Sequence, residues 1–121
     1  MIQTKSITFG DLGVSVDLLK ILESQKITNP TPIQEKCISL GLAGKDILGI
    51  AQTGTGKTLA FGLPALEQTI KTNGKCLIML PTRELAIQVD EVLSKLGRHF
   101  GIQTALLIGG VSAISQKHTL R

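Results

Sequence analysis

Apolar positions in this chain alternate between two arrangements, short continuous runs and stretches spaced at helical intervals. From Asp17 to Lys26, Leu18, Leu19, Ile21 and Leu22 fit one face of a short helix, with Asp17 placed to cap its start. Asn29-Pro30-Thr31-Pro32 interrupts the pattern. Ile33 to Leu42 resumes it, with Pro32 at the first helical position and apolar residues at Ile33, Cys37, Ile38 and Leu40. Gly44 ends that helix, and Lys45 to Ile50 reads as a short buried strand. After a glycine-rich turn, Leu59, Ala60, Leu63, Ala65 and Leu66 give another helix an apolar face, closed by the turn Thr72-Asn73-Gly74. Cys76 to Leu80 is a second apolar run that stops at Pro81. Thr82 can cap a helix to about Leu96, apolar at Leu85, Ala86, Val89, Leu93 and Leu96. Gly97 and Gly101 mark its exit, Ala105 to Ile108 is a third run closed by Gly109-Gly110, and Val111 opens a further helix. The order βαβαβα predicts an α/β domain with a mainly parallel sheet and helices on both faces.

The turn between the first strand and its helix is Ala51-Gln52-Thr53-Gly54-Thr55-Gly56-Lys57-Thr58. Strand, glycine-rich turn and helix is the setting a phosphate-binding loop requires. Gly54 and Gly56 let backbone amides close around phosphate oxygens without a Cβ in the way. The helix start adds unpaired N–H groups and a positive dipole end. Lys57 supplies a point charge for the β- and γ-phosphates, and the Thr58 hydroxyl can ligate Mg²⁺. These residues are expected to hold ATP, with Lys57 and Thr58 carrying the catalytic roles of the loop.

Composition adjusts this picture modestly. The chain has 121 residues, 42% of them hydrophobic, enough for a single domain with a core. A net charge of +4 suggests an anionic partner, and most of the excess lies after residue 60. Three Phe with no Trp or Tyr argue against holding nucleic acid by stacking its bases, leaving the backbone as the part to be gripped. Cys37 and Cys76 stand far apart in apolar stretches and are expected as buried, reduced thiols; His99 and His118 are expected at the surface. Neither a membrane-spanning run nor a signal-peptide pattern is present, and a cytoplasmic setting is expected.

Landmarks around the loop resemble the first RecA-like domain of DEAD-box RNA helicases. Pro30-Thr31-Pro32-Ile33-Gln34 looks like the end of that family's adenine-reading Q motif, and Phe9 stands where the family keeps an isolated upstream aromatic. Ala51 to Thr58 matches motif I, Pro81-Thr82-Arg83-Glu84-Leu85-Ala86 matches motif Ia, and Gly109-Gly110 matches the GG motif. The stretch from Gly109 to Ser112 with Gln116 and Leu120-Arg121 is similar to bacterial members such as the RhlE-like group. The resemblance implies a RecA-like P-loop NTPase fold over residues 1–121, the first half of the domain, with a Q-motif region at 7–35 and a P-loop core at 45–121. It implies that Gln34 reads adenine, whose N6 and N7 edge its amide can match, with Phe9 and Ile27 supporting the base. It also implies that Pro81, Thr82, Arg83, Gly109 and Gly110 grip RNA through its sugar-phosphate chain. Lys95, Arg98, Lys117 and Arg121 read as ordinary surface charges.

The chain departs from the family pattern in two ways. Lys26-Ile27 stands where the Q motif carries an aromatic that lies on the adenine, so Ile27 packs against the base without a ring face. The sequence also contains no Asp-Glu-Ala-Asp and no Ser-Ala-Thr. The expectation is therefore a fragment of an ATP-dependent RNA helicase, inactive alone, whose parent hydrolyses ATP to unwind or remodel RNA duplexes. A non-catalytic nucleotide- or RNA-binding module of this length is the alternative. The sheet would be incomplete on its C-terminal side, and self-association through its unpaired edges is expected.

Overall fold

The computed structural model describes residues 6–52, 54, 56–110 and 112–120. Five α-helices form: α1 (Val16–Ser24), α2 (Pro32–Leu42), α3 (Lys57–Thr72), α4 (Arg83–Gly97) and α5 (Ala113–Leu120), with a 3₁₀ turn at Arg98–Phe100. The chain divides into two compact units, Met1–Gly74 and Lys75–Arg121, the boundary falling at the turn that follows α3. Among the described residues, no helix is long and apolar enough to cross a membrane.

In the first unit, α1, α2 and α3 bury Leu18, Leu22, Ile38 and Leu63 completely, with Phe9, Leu12 and Val14 of the preceding segment also in the core. The helix starts are built differently from one another. Ser15, rather than the expected Asp17, caps α1: its hydroxyl accepts from Leu18 N at 3.4 Å, and its own N–H donates to Glu67 Oε1 of α3 at 2.7 Å. Asp17 is the second residue of α1, in its first turn, where a carboxylate still favours the positive end of the helix dipole. At α2, Pro32 sits at the first position, where its missing N–H costs nothing.

The helices α2 and α3 approach closely because a side chain is missing from one of them. An ideal Cβ on Gly41 would stand 2.7 Å from Pro64 Cγ and 2.8 Å from Pro64 Cβ. Gln68 Nε2 of α3 donates to the Leu42 carbonyl at 3.1 Å, satisfying one of the carbonyls left open at the end of α2. Ser39 Oγ ties the same helix to the Leu12 carbonyl at 2.9 Å.

In the second unit, Thr82 Oγ1 accepts from Leu85 N at 3.1 Å and caps α4, as the sequence suggests. Val89, Leu93 and Leu96 are its buried stripe, whereas Leu85 is exposed at the edge. Gly101 takes a left-handed φ of 73° where the chain leaves the 3₁₀ turn. None of α5 is buried.

The expected sheet is not formed. Among the described residues, none of the three runs at 45–50, 76–80 and 105–108 is a strand; no backbone ladder joins them. Lys45 N bonds back to Leu40 O and Ile102 N to Gly97 O, so each bond continues the preceding helix end. Side chains follow: Leu48 and Ile50 are 89% and 85% exposed, and Leu77 and Met79 are 82% and 85% exposed. Ile78 and Leu80, between and after them, are half-buried, a two-residue alternation with one covered side. A buried parallel strand needs neighbours on its edges and cover on both faces; the runs at 45–50 and 76–80 have cover on one face at most. The same lack of cover corrects the reading of Cys76, which is exposed, while Cys37 is buried; both are free thiols. His99 and His118 are at the surface as expected.

One further departure from the expected helix lies at Lys26. It has φ 62°, Lys26 N donates to Glu23 O at 3.0 Å, and Ile27 N donates to Leu22 O at 2.9 Å. This pair of bonds is the Schellman arrangement that closes a helix, with lysine at the left-handed position that glycine usually takes. A non-glycine residue there carries a steric cost of about 1 kcal/mol or more. Lys26→Gly is therefore expected to stabilise the protein by about 1 kcal/mol, read as a higher urea midpoint at unchanged m-value. An unchanged or lower midpoint would contradict the strain at this residue.

Candidate functional site

Two separate clusters hold most of the residues singled out from the sequence. The first surrounds the start of α3. Gly56 is its cap residue, in a left-handed conformation at φ 86°, and Gly54 has φ 79°. Lys57 is the first helical residue and exposed; Thr58 is the second and half-buried. Ala51 is half-buried and Gln52 exposed, while Thr53 and Thr55 lie outside the described residues, as do Val111 and Arg121.

The space around Gly56 is closed by the Q-motif residues. Gln34, 3% exposed, donates from Nε2 to the Gly56 carbonyl at 3.0 Å and accepts at Oε1 from Thr31 N at 2.9 Å. Thr31 and Gln34 thus make a capping box at the start of α2 in which the glutamine half has full hydrogen-bond geometry. Thr31 Oγ1 is buried without a hydrogen-bond partner. It stands 2.9 Å from where a Cβ on Gly56 would be, and the Gln34 amide is closer still. Residue 56 has neither the φ nor the room for a side chain. A glycine cradle at a helix start, followed by an exposed lysine and a hydroxyl, fits phosphate oxygens and a hard cation bound with them. No group of three or more His, Cys, Asp or Glu able to hold a metal occurs among the described residues.

Phe9 and Ile27 come together elsewhere in this unit. They line a cleft of about 270 Å³ with Thr8, Leu19, Leu22 and Thr28. Phe9 is almost fully buried, and Ile27 half-buried on the wall. Gln34 does not line this cleft; its amide faces the phosphate loop. The three residues expected around adenine are therefore split, two at the cleft and one at Gly56. Thr31 was not singled out as a site residue, although the Thr-x-x-Gln spacing ahead of a helix is a readable signal for its contact with Gln34.

The second cluster joins the start of α4 to the glycine pair. The Arg83 guanidinium lies over Gly109-Gly110: an ideal Cβ on Gly110 would be 3.5 Å from one terminal nitrogen and 3.6 Å from the other, and one on Gly109 would be 3.8 Å away. Gly110 has φ 84°. Gln116 Nε2 of α5 donates to the Ile108 carbonyl at 2.9 Å, fixing the residue before the pair. Arg83 makes no ion pair among the described residues, so its charge is not spent on Glu84. Pro81 and Thr82 are exposed immediately before it. An exposed arginine beside uncovered backbone can take a phosphate oxygen pair.

Comparison with known proteins bears on both clusters. The sequence profile described as DEAD/DEAH box helicase matches residues 31–121. The chain is 45% identical over 116 residues to the ATP-dependent rRNA helicase RRP3 of Yarrowia lipolytica, covering 94% of this chain and 24% of that protein. It is 45% identical to the probable ATP-dependent RNA helicase DDX27 of Mus musculus, covering 97% of this chain and 16% of that one. Among solved structures, a DEAD box protein from Methanococcus jannaschii aligns with a TM-score of 0.89 at 33% identity over 98% of this chain and 33% of that one. The RNA helicase Prp28 of Chaetomium thermophilum, bound to ADP, aligns with a TM-score of 0.85 at 32% identity, covering 98% of this chain and 31% of that one. The chain thus spans a quarter or less of the length of these curated relatives. They are fungal and mammalian and give no support to the narrower similarity to the bacterial RhlE-like group. The backbone follows that of DEAD-box RecA-like domains even though the ladders of a parallel sheet are not formed. With motif I, motif Ia and the glycine pair all inside the matched residues, the chain belongs to the DEAD/DEAH box helicase family.

Proposed function

We propose that these residues form the ATP-gripping part, and some of the RNA-gripping part, of an ATP-dependent RNA helicase whose whole chain hydrolyses ATP to unwind or remodel RNA. The observation that carries this reading is the cradle at Gly56, closed by Gln34 and opening onto exposed Lys57. Lys57 places its ammonium at the β- and γ-phosphates, and the Thr58 hydroxyl holds Mg²⁺ together with phosphate oxygens. When bound, Mg²⁺ neutralises charge on the phosphates. The base lies against Phe9 and Ile27. Gln34 has a second N–H and a second lone pair left after its two internal bonds, enough for a donor–acceptor pair with adenine. The names of the relatives, ATP-dependent rRNA and RNA helicases, support the substrate assignment.

Lys57→Ala is expected to weaken ADP binding about 10- to 100-fold, since a bond to a charged group contributes about 1.5–3 kcal/mol. In the same calorimetry ADP should bind more tightly than GDP, because guanine carries O6 where adenine carries N6–H₂. Equal affinity of mutant and parent would remove the phosphate site from this loop.

Arg83 with Gly109-Gly110 grips the RNA backbone. Binding should be indifferent to base sequence and fall steeply with salt, and Arg83→Ala should weaken all sequences alike while reducing the salt slope by about one. Fluorescence anisotropy with two unrelated single strands over a salt series checks this; loss confined to one sequence would oppose it.

The uncovered Leu48, Ile50, Leu77 and Met79 support association of this chain with further copies of itself. Light scattering is expected to give a mass that rises with concentration, and Leu48→Lys with Met79→Lys should lower it. A constant monomer mass for the parent chain would dispose of the idea.

A further inference from the structure

We propose that Glu67 is a positioning residue that fixes the cleft at Phe9 and Ile27 relative to α3, and so sets the spacing between the base and phosphate ends of one nucleotide. This rests on the nucleotide-binding reading above. The residues lining the cleft all fall within 8–28, on α1 and the segments flanking it, whereas Gly56, Lys57 and Thr58 form the start of α3. A ligand that touches both needs these two parts of the chain held in register. The backbones of α2 and α3 approach one another over many residues; among the described residues α1 approaches neither so broadly. A specific tie must then do what broad backbone packing does not.

The bond from Ser15 N to Glu67 Oε1, at 2.7 Å, is such a tie. In a capping box the third helical residue turns its side chain back to the N–H of the cap, as Gln34 does at α2. In α1 that residue is Leu18, which is fully buried and has no acceptor. Ser15 instead takes its acceptor from a residue fifty-two places later in the chain. A carboxylate makes this bond short and about twice as strong as a neutral acceptor would, and its charge suits the positive end of α1. Ser15 is also where the two walls of the cleft meet. Before it, Val14 N returns to Phe9 O at 3.3 Å, and Thr8 and Asp11 each accept with a side chain from the other's N–H. After it, α1 carries Leu19, Leu22 and Glu23 of the opposite wall. Glu67 lies in the same helix as Lys57, about 15 Å further along at the rise of an α-helix. Helix α3 is thus a strut, with the phosphates at its start and the cleft fastened further along it.

ADP engages both ends, whereas inorganic tripolyphosphate has phosphates and no base. Calorimetry with each ligand and Mg²⁺ on the parent chain, Glu67→Met, Glu67→Gln and Lys57→Ala is the test, with circular dichroism to compare folding. Glu67→Met removes the acceptor and is expected to weaken ADP binding about tenfold, the scale of one lost bond to a charged group, while leaving tripolyphosphate within about twofold of the parent. Glu67→Gln keeps an acceptor oxygen and should bind ADP nearly as the parent does. A folded Glu67→Met that binds ADP like the parent, or loses both ligands equally, overturns the proposal while the phosphate site stands, and so does a Glu67→Gln as weak as Glu67→Met. A parent that does not bind tripolyphosphate, or a Lys57→Ala that binds it as well as the parent, removes the phosphate reading and the proposal with it. Should Glu67→Met fail to fold, NMR on the parent decides: the Ser15 amide signal should shift with ADP and hold still with tripolyphosphate, and a signal unmoved by ADP overturns the proposal.

Discussion

The hydrogen bond from Gln34 to the Gly56 carbonyl is the constraint on which the arrangement at the start of α3 depends. It joins the start of α2 to the start of α3 and does so at Gly56, the left-handed cap residue of α3. Everything around it reinforces the same geometry. Pro32 opens α2 without a wasted donor, Thr31 supplies the N–H that orients the glutamine, and the close approach of Gly41 to Pro64 brings the two helices near enough for a side chain to cross. The loop is thus shaped from outside, by a motif twenty-two residues earlier in the chain.

Much of this was legible in the sequence because it is local. A helix start is announced by its cap and its apolar spacing, and α2 and α4 begin where those signals fall. Thr82 and Gly101 do what their chemistry suggests. Arg83 and the glycine pair also meet as their places at the ends of two runs imply. What was not legible is non-local. A run such as Cys76 to Leu80 carries the composition of a buried strand, yet a strand exists only through a ladder with a neighbour, and nothing within the run states whether that neighbour is present. Lys26 failed for a different reason: its left-handed backbone follows from how α1 ends, not from any preference of lysine. The split between Phe9 with Ile27 and Gln34 with Gly56 depends on which way one amide turns, which no spacing rule encodes.

The two clusters differ in how they are secured. The cradle at Gly56 is enclosed by the buried Gln34 amide, which has defined partners on both of its ends, so its shape is set by the fold itself. The Arg83 cluster is an exposed guanidinium resting over glycines, held on one side by α4 and on the other by the bond from Gln116. Specific recognition is suited to the first arrangement and tolerant, charge-driven contact to the second.

The meeting of Gly41 and Pro64 also governs how this part of the chain can come into being. A glycine inside a helix costs that helix about 1 kcal/mol relative to alanine, and a proline inside one costs about 3 kcal/mol. Neither α2 nor α3 would recover that loss by itself, since the benefit lies in how near the two axes can come. As the chain emerges from a ribosome, α2 is released first, carrying its weakness without the compensating contact. Its helix should persist only once the residues around Pro64 have followed, so that the two form as a single event during synthesis rather than in the order in which they are made.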